Sequence, residues 1–400
     1  MIDRRQFLTT GAAGLVAVSV PRASPSVESD PLGVRADFPI TRTSAYLNTA
    51  YTGPLSNATR RAAAEFIEDR TFRPAPGREQ EKAESARARF ATLFGAKPQQ
   101  VALLYSTSEG ENIVTRSLGL GAGYNVVIDE LHFTTTFVLY RQLEQELGIE
   151  LRIVPHHDGR VALEDYDAHI DRRTRLVSVA WVSNRNGYRQ DVRALAALAH
   201  SHQAFLYVDA IQALGTFPAD LAAEGIDFAT AGSYKWFFGG FGVAPFYLRE
   251  EHLDRIRPDR YGHHQVNAEL PDFRFQLHRT SKKFEYAALA TGSVYELDAA
   301  LSFLQNVGLD RIHQHGVALA QELYAGVTRL GFRVLTPRDN QSPIVTFAHG
   351  RDPAIVKRLL KRDGIDVTFR ENDSQIRASI ALFNNREDVH RLVQALASVA

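Results

Sequence analysis

The chain has 400 residues, 44% of them apolar and 23% charged, with 46 Lys and Arg balanced by 46 Asp and Glu. That is ordinary for a globular protein that buries its core without staples, and the even charge gives no footprint for nucleic acid or an anionic membrane. No cysteine occurs, which excludes disulfides, thiolate nucleophiles, cysteine-ligated metals and clusters, and a lipidated N-terminal cysteine.

Near the start stand Asp3-Arg4-Arg5-Gln6-Phe7-Leu8, a short, weakly apolar run from Thr9 to Val20, and a small-residue exit at Pro21-Arg22-Ala23. This layout predicts a signal peptide over residues 1–23, and the paired arginines before x-Phe-Leu resemble a twin-arginine signal. The run is too short to span about 30 Å of hydrocarbon as a helix. The expectation is export of a folded protein by the twin-arginine translocase, to the periplasm or medium. Residues 24–38 read as a linker, 39–290 as a large domain with an N-terminal segment, and 291–400 as a small C-terminal domain.

Residues 45–54 read as an ordered loop with Gly53-Pro54 as its turn. Helical patterns follow at 57–72 and 79–94, the second closed by Gly95. Short apolar runs at 101–105, 125–128, 151–154, 176–181, 205–209 and 242–248 predict strands, with helical patterns at 135–147 and 192–203 between them. Such alternation predicts an α/β fold, a mostly parallel sheet with helices on both faces. Beyond Gly262 a polar and aromatic loop leads to a long helical segment, 293–330. Strands predicted at 332–335, 344–347, 365–369 and 376–380, with a helix at 353–363, make a smaller α+β unit.

Two stretches in the middle of the chain carry the chemistry. In Phe205-Leu-Tyr-Val-Asp-Ala-Ile-Gln212 an apolar strand ends on Asp209, with the Gln212 amide three residues on. In Ala231-Gly-Ser-Tyr-Lys-Trp236 the Lys235 amine sits between two aromatics, just before Gly239-Gly240-Phe241-Gly242. Partial desolvation lowers the pKa of an amine and frees its lone pair to attack a carbonyl. A fixed anion nearby is what a protonated pyridine ring needs. Taken singly, Asp209 reads as a helix cap and Lys235 as a solvated charge; as a pair they point to a lysine Schiff base with pyridoxal 5′-phosphate.

Other positions extend this reading. Thr107 and Ser108 stand at a strand-to-helix turn, either as caps or as phosphate ligands at a helix N-terminus. The glycine-rich stretch 119–123 precedes a strand instead of following one, the wrong order for a dinucleotide fingerprint. Phe133 is the first candidate to stack on a pyridine ring and His132 the second, with core packing as the alternative. Asn184 and Gln212 could donate to the ring oxygen or cap their loops. The pairs His156-His157 and His313/His315 have no convergent carboxylate, so no metal site is expected.

In order along the chain, Tyr46-Leu-Asn-Thr-Ala-Tyr-Thr-Gly-Pro-Leu, Thr107-Ser-Glu-Gly-Glu-Asn, Val182-Ser-Asn, Val208-Asp-Ala-Ile-Gln-Ala-Leu-Gly, Tyr234-Lys-Trp, Lys283-Phe-Glu-Tyr and Ile376-Arg-Ala-Ser-Ile-Ala-Leu-Phe-Asn resemble the class V aminotransferase family of fold-type I pyridoxal-phosphate enzymes. The resemblance covers about residues 40–398. It implies a large domain with a seven-stranded sheet, and a homodimer. It implies Lys235 as the Schiff-base lysine, Asp209 against the pyridinium nitrogen, and Gln212 and Asn184 at the ring oxygen. Thr107, Ser108 and Tyr234 would hold the phosphate. Arg377 would clamp the substrate carboxylate, with Asn48 and His264 on the substrate side.

Departures from the pattern narrow the reading. Ser233-Tyr234 replaces the His that many relatives carry before the lysine and looks more like the kynureninase and isopenicillin N epimerase branches. No threonine of the kind relatives lend across a dimer is evident in 284–293. Without cysteine a persulfide relay is excluded. The expectation is an exported enzyme acting on the amino group of an amino acid or a peptide-borne residue, similar to periplasmic enzymes that tailor siderophores. Transamination is the favoured outcome; C–S lyase or epimerase activity is the alternative, and ligand binding without turnover a further one.

Overall fold

A computed structural model describes residues 30–74 and 76–399. The predicted export signal and residues 24–29 of the linker lie outside the described residues. Among the described residues no helix is long and apolar enough to cross a membrane.

The chain opens with β1 (Ala45–Tyr46), α1 (Asn57–Phe72) and α2 (Arg78–Leu93). Ser56 starts α1, its Oγ accepting from Thr59 N at 3.1 Å. Strand and helix then alternate through β2 (Val101–Leu104), α3 (Thr107–Ser117), β3 (Asn125–Asp129), α4 (Thr134–Leu147), β4 (Glu150–Val154) and α5 (Leu163–His169). The alternation continues with β5 (Thr174–Ala180), α6 (Val192–Ser201), β6 (Phe205–Asp209), β7 (Phe228–Thr230) and β8 (Ala244–Leu248).

These strands form one seven-stranded sheet in the order β2-β8-β7-β6-β5-β3-β4, and only β8 runs against the rest. Its central strands are apolar on both faces because each face is covered. Val127, Leu206 and Val208 join one buried cluster, while their neighbours Val126, Ile128 and Tyr207 join another on the opposite side. The two-residue period of a strand divides the runs in this way. This is the mostly parallel α/β architecture expected from the sequence.

Past β8 the structure departs from the expectation at several points. The strand expected over 365–369 is two strands in different sheets, Ile365–Asp366 and Thr368–Arg370, and an unexpected C-terminal helix covers Arg386–Ala397. The segment read as loop contains an antiparallel hairpin, β9 (Val266–Leu270) and β10 (Arg274–Leu277). The helix expected over 293–330 is two helices, α7 (Thr291–Val307) and α8 (Leu309–Arg329). They part at Gly308, whose φ of 90° disfavours any residue with a Cβ. α1 and α2 pack on α7.

The C-terminal unit holds β11 (Arg333–Val334), β12 (Ile344–Ala348), α9 (Pro353–Arg362), β13 (Ile365–Asp366), β14 (Thr368–Arg370), β15 (Gln375–Ser379) and α10 (Arg386–Ala397). Its antiparallel sheet runs β11-β12-β15-β14. β1 pairs in parallel with β13, and Ser379 N donates to Leu47 O at 2.8 Å. The segment before α1 therefore joins the C-terminal sheet to the neighbourhood of the large one along a seam, and the cavity described next is lined from the large-sheet side of it.

Candidate active site

The turns after β2, β3, β5, β6 and β7 gather at the C-terminal ends of the parallel strands, where open α/β sheets build their sites. Asp209 closes β6 and is buried; its Oδ1 accepts from Ile211 N at 3.0 Å. Burial raises its pKa to about 6, against the pull of that hydrogen bond and of the Lys235 charge. Lys235 follows β7 and is also buried. Burial lowers its pKa to about 8, with Asp209 opposing the shift and Arg377 adding to it. Its Nζ lies 5.6 Å from the Tyr234 ring centre and 5.9 Å from that of Phe133.

The start of α3 faces the same cavity. Ser106 is the cap: its Oγ accepts from Glu109 N at 3.1 Å, while Glu109 Oε2 accepts from Tyr105 N at 2.7 Å. The N–H groups of Thr107 and Ser108 then have no hydrogen-bond partner among the described residues. Thr107 Oγ1 accepts from Gly232 N at 2.9 Å, which ties it to the lysine loop. Gly110 lets α3 lie close on β7, since a Cβ there would meet Thr230 Oγ1 at 2.1 Å. Free N–H groups and the positive end of the helix dipole thus point at the cavity.

Phe133, partly exposed, lines the cavity, and His132 does not. The His132 ring is turned into the core, with Nδ1 accepting from Phe133 N at 2.7 Å and Nε2 3.3 Å from Ser178 Oγ. Burial lowers its pKa to about 3. Asn184 and Gln212 also line the cavity. The Gln212 amide is already engaged at both ends, accepting from Trp236 Nε1 at 2.7 Å and donating to Ala50 O at 2.9 Å. Tyr234 stacks on Phe241 with ring centres 4.3 Å apart.

Arg377 lies on β15, 3% exposed, and donates to Asn184 O at 2.8 Å and to Thr368 Oγ1 at 3.1 Å. Thr368 Oγ1 in turn donates to Asn48 Oδ1. Asn48, Thr368 and Arg377 therefore form one chain of hydrogen bonds across the seam. Of the expected site residues all but Asn48, Arg377 and His264 line the cavity; Arg377 and Asn48 connect to it through the Arg377 bond to Asn184 O, and His264 does not. That residue is exposed on a 3-10 turn before β9 and lines no part of the cavity.

The sequence did not single out Glu111, Arg185, Thr368 or Arg370. Glu111 is buried beneath the cavity, accepting from Ser178 Oγ at 2.6 Å and Thr136 Oγ1 at 2.9 Å, and burial raises its pKa to about 7. The alternation of Thr368 and Arg370 along β14 was the available signal for the last two. Of the histidine pairs, His313 and His315 meet the backbone carbonyls of Gln341 and Asn384. Asp227, Glu251 and His252 converge elsewhere, where Asp227 bonds His200 and His252.

The side chains present fit pyridoxal 5′-phosphate. A helix start with two free N–H groups suits a phosphate, a buried carboxylate suits a ring nitrogen, and an amine of lowered pKa suits an aldehyde. All three border one cavity together with the Phe133 ring.

Comparison with known proteins agrees with the fold and with the cofactor. A family model described as aminotransferase class-V matches residues 70–392. A probable cysteine desulfurase of Methanothermobacter thermautotrophicus is 28% identical, over 92% of this chain and 97% of its own. The Bacillus subtilis protein named uncharacterized aminotransferase YcbU is 27% identical, over 93% of this chain and 99% of its own. Among solved structures, the complex of the cystine C–S lyase C-DES with cysteine persulfide, its reaction product, shares the fold with a TM-score of 0.82 at 22% identity. That match covers 90% of this chain and 99% of the other.

Proposed function

Because this chain belongs to the class-V aminotransferase family, whose members use pyridoxal 5′-phosphate, we propose that it is a lyase cleaving the C–S bond of a sulfur-substituted amino acid. What carries the reading is the buried Lys235 amine of lowered pKa beside Asp209, in a chain whose relatives include proteins named for cysteine sulfur chemistry.

When bound, pyridoxal 5′-phosphate supplies an aldehyde that takes up an amine and a ring that accepts the electron pair left at Cα. The N–H groups of Thr107 and Ser108 would hold its phosphate, Asp209 its ring nitrogen and Phe133 its face. Arg377 would bind the substrate carboxylate with a planar pair of N–H donors. Lys235 Nζ, neutral above about pH 8, would accept the Cα proton. Breaking the C–S bond then sends the electron pair to sulfur, which leaves as the thiol with one proton. Overall, the amino acid and one water give the thiol, pyruvate and ammonium. Since the chain has no cysteine, sulfur leaves on a small molecule and not as a persulfide on the protein.

Transamination, which the sequence favoured, shares every step up to loss of the Cα proton, and the name of the Bacillus subtilis relative keeps it as the second reading. Epimerisation has less support, because Phe133 has no proton to deliver and His132 is turned into the core. A homodimer is part of the proposal, since Tyr51, Tyr105 and Phe241 are left exposed around the lysine loop.

The test is product analysis of cofactor-loaded protein given S-substituted cysteines. Equal amounts of pyruvate and ammonium are expected. A keto acid that keeps its sulfur substituent, formed as the cofactor passes to its amine form, would replace the lyase reading with transamination.

A further inference from the structure

Three guanidinium groups gather beside the cavity, around the loop of Asn184 that lines it. Arg377 and Arg370 both donate to one carbonyl oxygen, Asn184 O, at 2.8 and 3.4 Å. Arg185 is the next residue along that loop, and its Nε lies 3.4 Å from His132 O, next to the Phe133 that lines the cavity. The framework is fixed by the C-terminal sheet, where Thr346 sits opposite Arg377 and donates from Oγ1 to Arg185 O at 2.9 Å.

None of the three arginines forms an ion pair among the described residues; their hydrogen bonds go to carbonyl and hydroxyl oxygens. Arg377 is 3% exposed and its Nε has no partner among the described residues. Two nearby carboxylates do not balance the group. Glu371 is exposed in the turn beyond Arg370, and Asp129 is buried among Tyr166, Gln190 and Leu131 N. Burial and neighbouring positive charge hold the Arg370 and Arg377 pKa values below the ordinary range for arginine, the latter at about 9.

Packing like charges together without a counter-ion is unfavourable unless a ligand supplies one. A single α-carboxylate matches the fork of Arg377 and leaves Arg370 and Arg185 unanswered. We propose that Arg370, with Arg185, forms a second anion subsite, so that the substrate is an α-amino acid carrying another acidic group on its side chain. That group would be a carboxylate or an oxyacid of sulfur. The inference rests on the reading above of Arg377 as the carboxylate ligand, but it does not depend on which reaction follows.

Binding is tested first, with the cofactor-loaded wild-type protein and two ligands that cannot react. Calorimetric titration is expected to show glutarate binding at least about tenfold tighter than butyrate, the loss of one charge-assisted contact. Arg370→Gln should erase that difference. Equal affinities in the wild-type protein would overturn the proposal even if the variant failed to fold. A wild-type preference that persists undiminished in folded Arg370→Gln would overturn the assignment to Arg370.

Turnover separates this inference from the lyase reading. S-carboxymethylcysteine should exceed S-methylcysteine in kcat/KM by about tenfold in the wild-type protein. If glutarate binding depends on Arg370 while neither compound yields pyruvate, the second anion subsite stands and the lyase assignment falls. If both compounds yield pyruvate equally well and glutarate shows no preference, the lyase stands and the subsite falls.

Discussion

A methyl group on Gly53 would sit 2.0 Å from the carbonyl oxygen of Lys235. The Gly53 N–H also donates to Tyr234 O at 2.8 Å, so the loop before α1 clamps the backbone that carries the reactive amine. Gly53→Ala forces one of the two segments to move in a close-packed region. The expected cost is roughly 1–3 kcal/mol of stability, together with weaker cofactor retention. Urea denaturation and the absorbance of the bound cofactor read both; wild-type values for each would remove the clamp from this account.

Capture of the cofactor aldehyde needs a neutral amine. With a pKa lowered to about 8, Lys235 is protonated below that value and neutral above it. Uptake of pyridoxal 5′-phosphate by cofactor-free protein should therefore accelerate as pH rises through about 8 and level off beyond. Asp209→Asn removes the charge opposing the shift and moves the midpoint down. Arg377→Gln removes a charge that adds to it and moves the midpoint up. Stopped-flow absorbance checks the profile, and a rate flat from about pH 6 to about pH 10 contradicts it.

Arg377→Lys keeps the charge but loses the planar fork. The KM for the amino substrate should rise by about tenfold to a hundredfold, with a smaller change in kcat. Asn48→Ala acts on Arg377 through Thr368 and should move KM the same way by less. Steady-state kinetics decides the matter: a fall in kcat at constant KM would mean that Arg377 does not bind the ground-state carboxylate.

Arg4 and Arg5 are proposed to direct export. In a bacterial host with a working twin-arginine translocase, the intact chain should reach the periplasm, and replacing both residues with lysine should retain it in the cytoplasm. Fractionation with immunodetection measures this. Equal distribution of the two forms would withdraw the export proposal.

Much of the large sheet was legible because its signals are local. The apolar run ending in a carboxylate predicted β6 with the bounds the structure gives, Phe205–Asp209. β7 escaped notice because three residues, Phe228–Thr230, are too few to show a period. Gly308 lies inside a continuous helical pattern, so its break shows only in the backbone. The same divide runs through the site. Lys235, Asp209, Thr107 and Ser108 stand at strand ends and turns that the sequence marks, and Arg377 was found through its family motif. Arg185 and Arg370 meet only when the C-terminal sheet folds against the loop after β5, so their convergence has no local signal, although strand alternation places Arg370 on the same face as Thr368. Ser106, not Thr107, caps α3, and that distinction depends on one hydrogen bond.

Lysine assignment tests the central claim most directly, because the fold contains a rival. Lys283 is also buried, with its pKa lowered to about 8, but its Nζ donates to Leu253 O and it lies outside the cavity. Protein reconstituted with pyridoxal 5′-phosphate, reduced with borohydride and analysed by peptide mass spectrometry should carry the pyridoxyl group on Lys235. A folded protein with Lys235 unmodified, or with the group on Lys283 instead, would contradict the account.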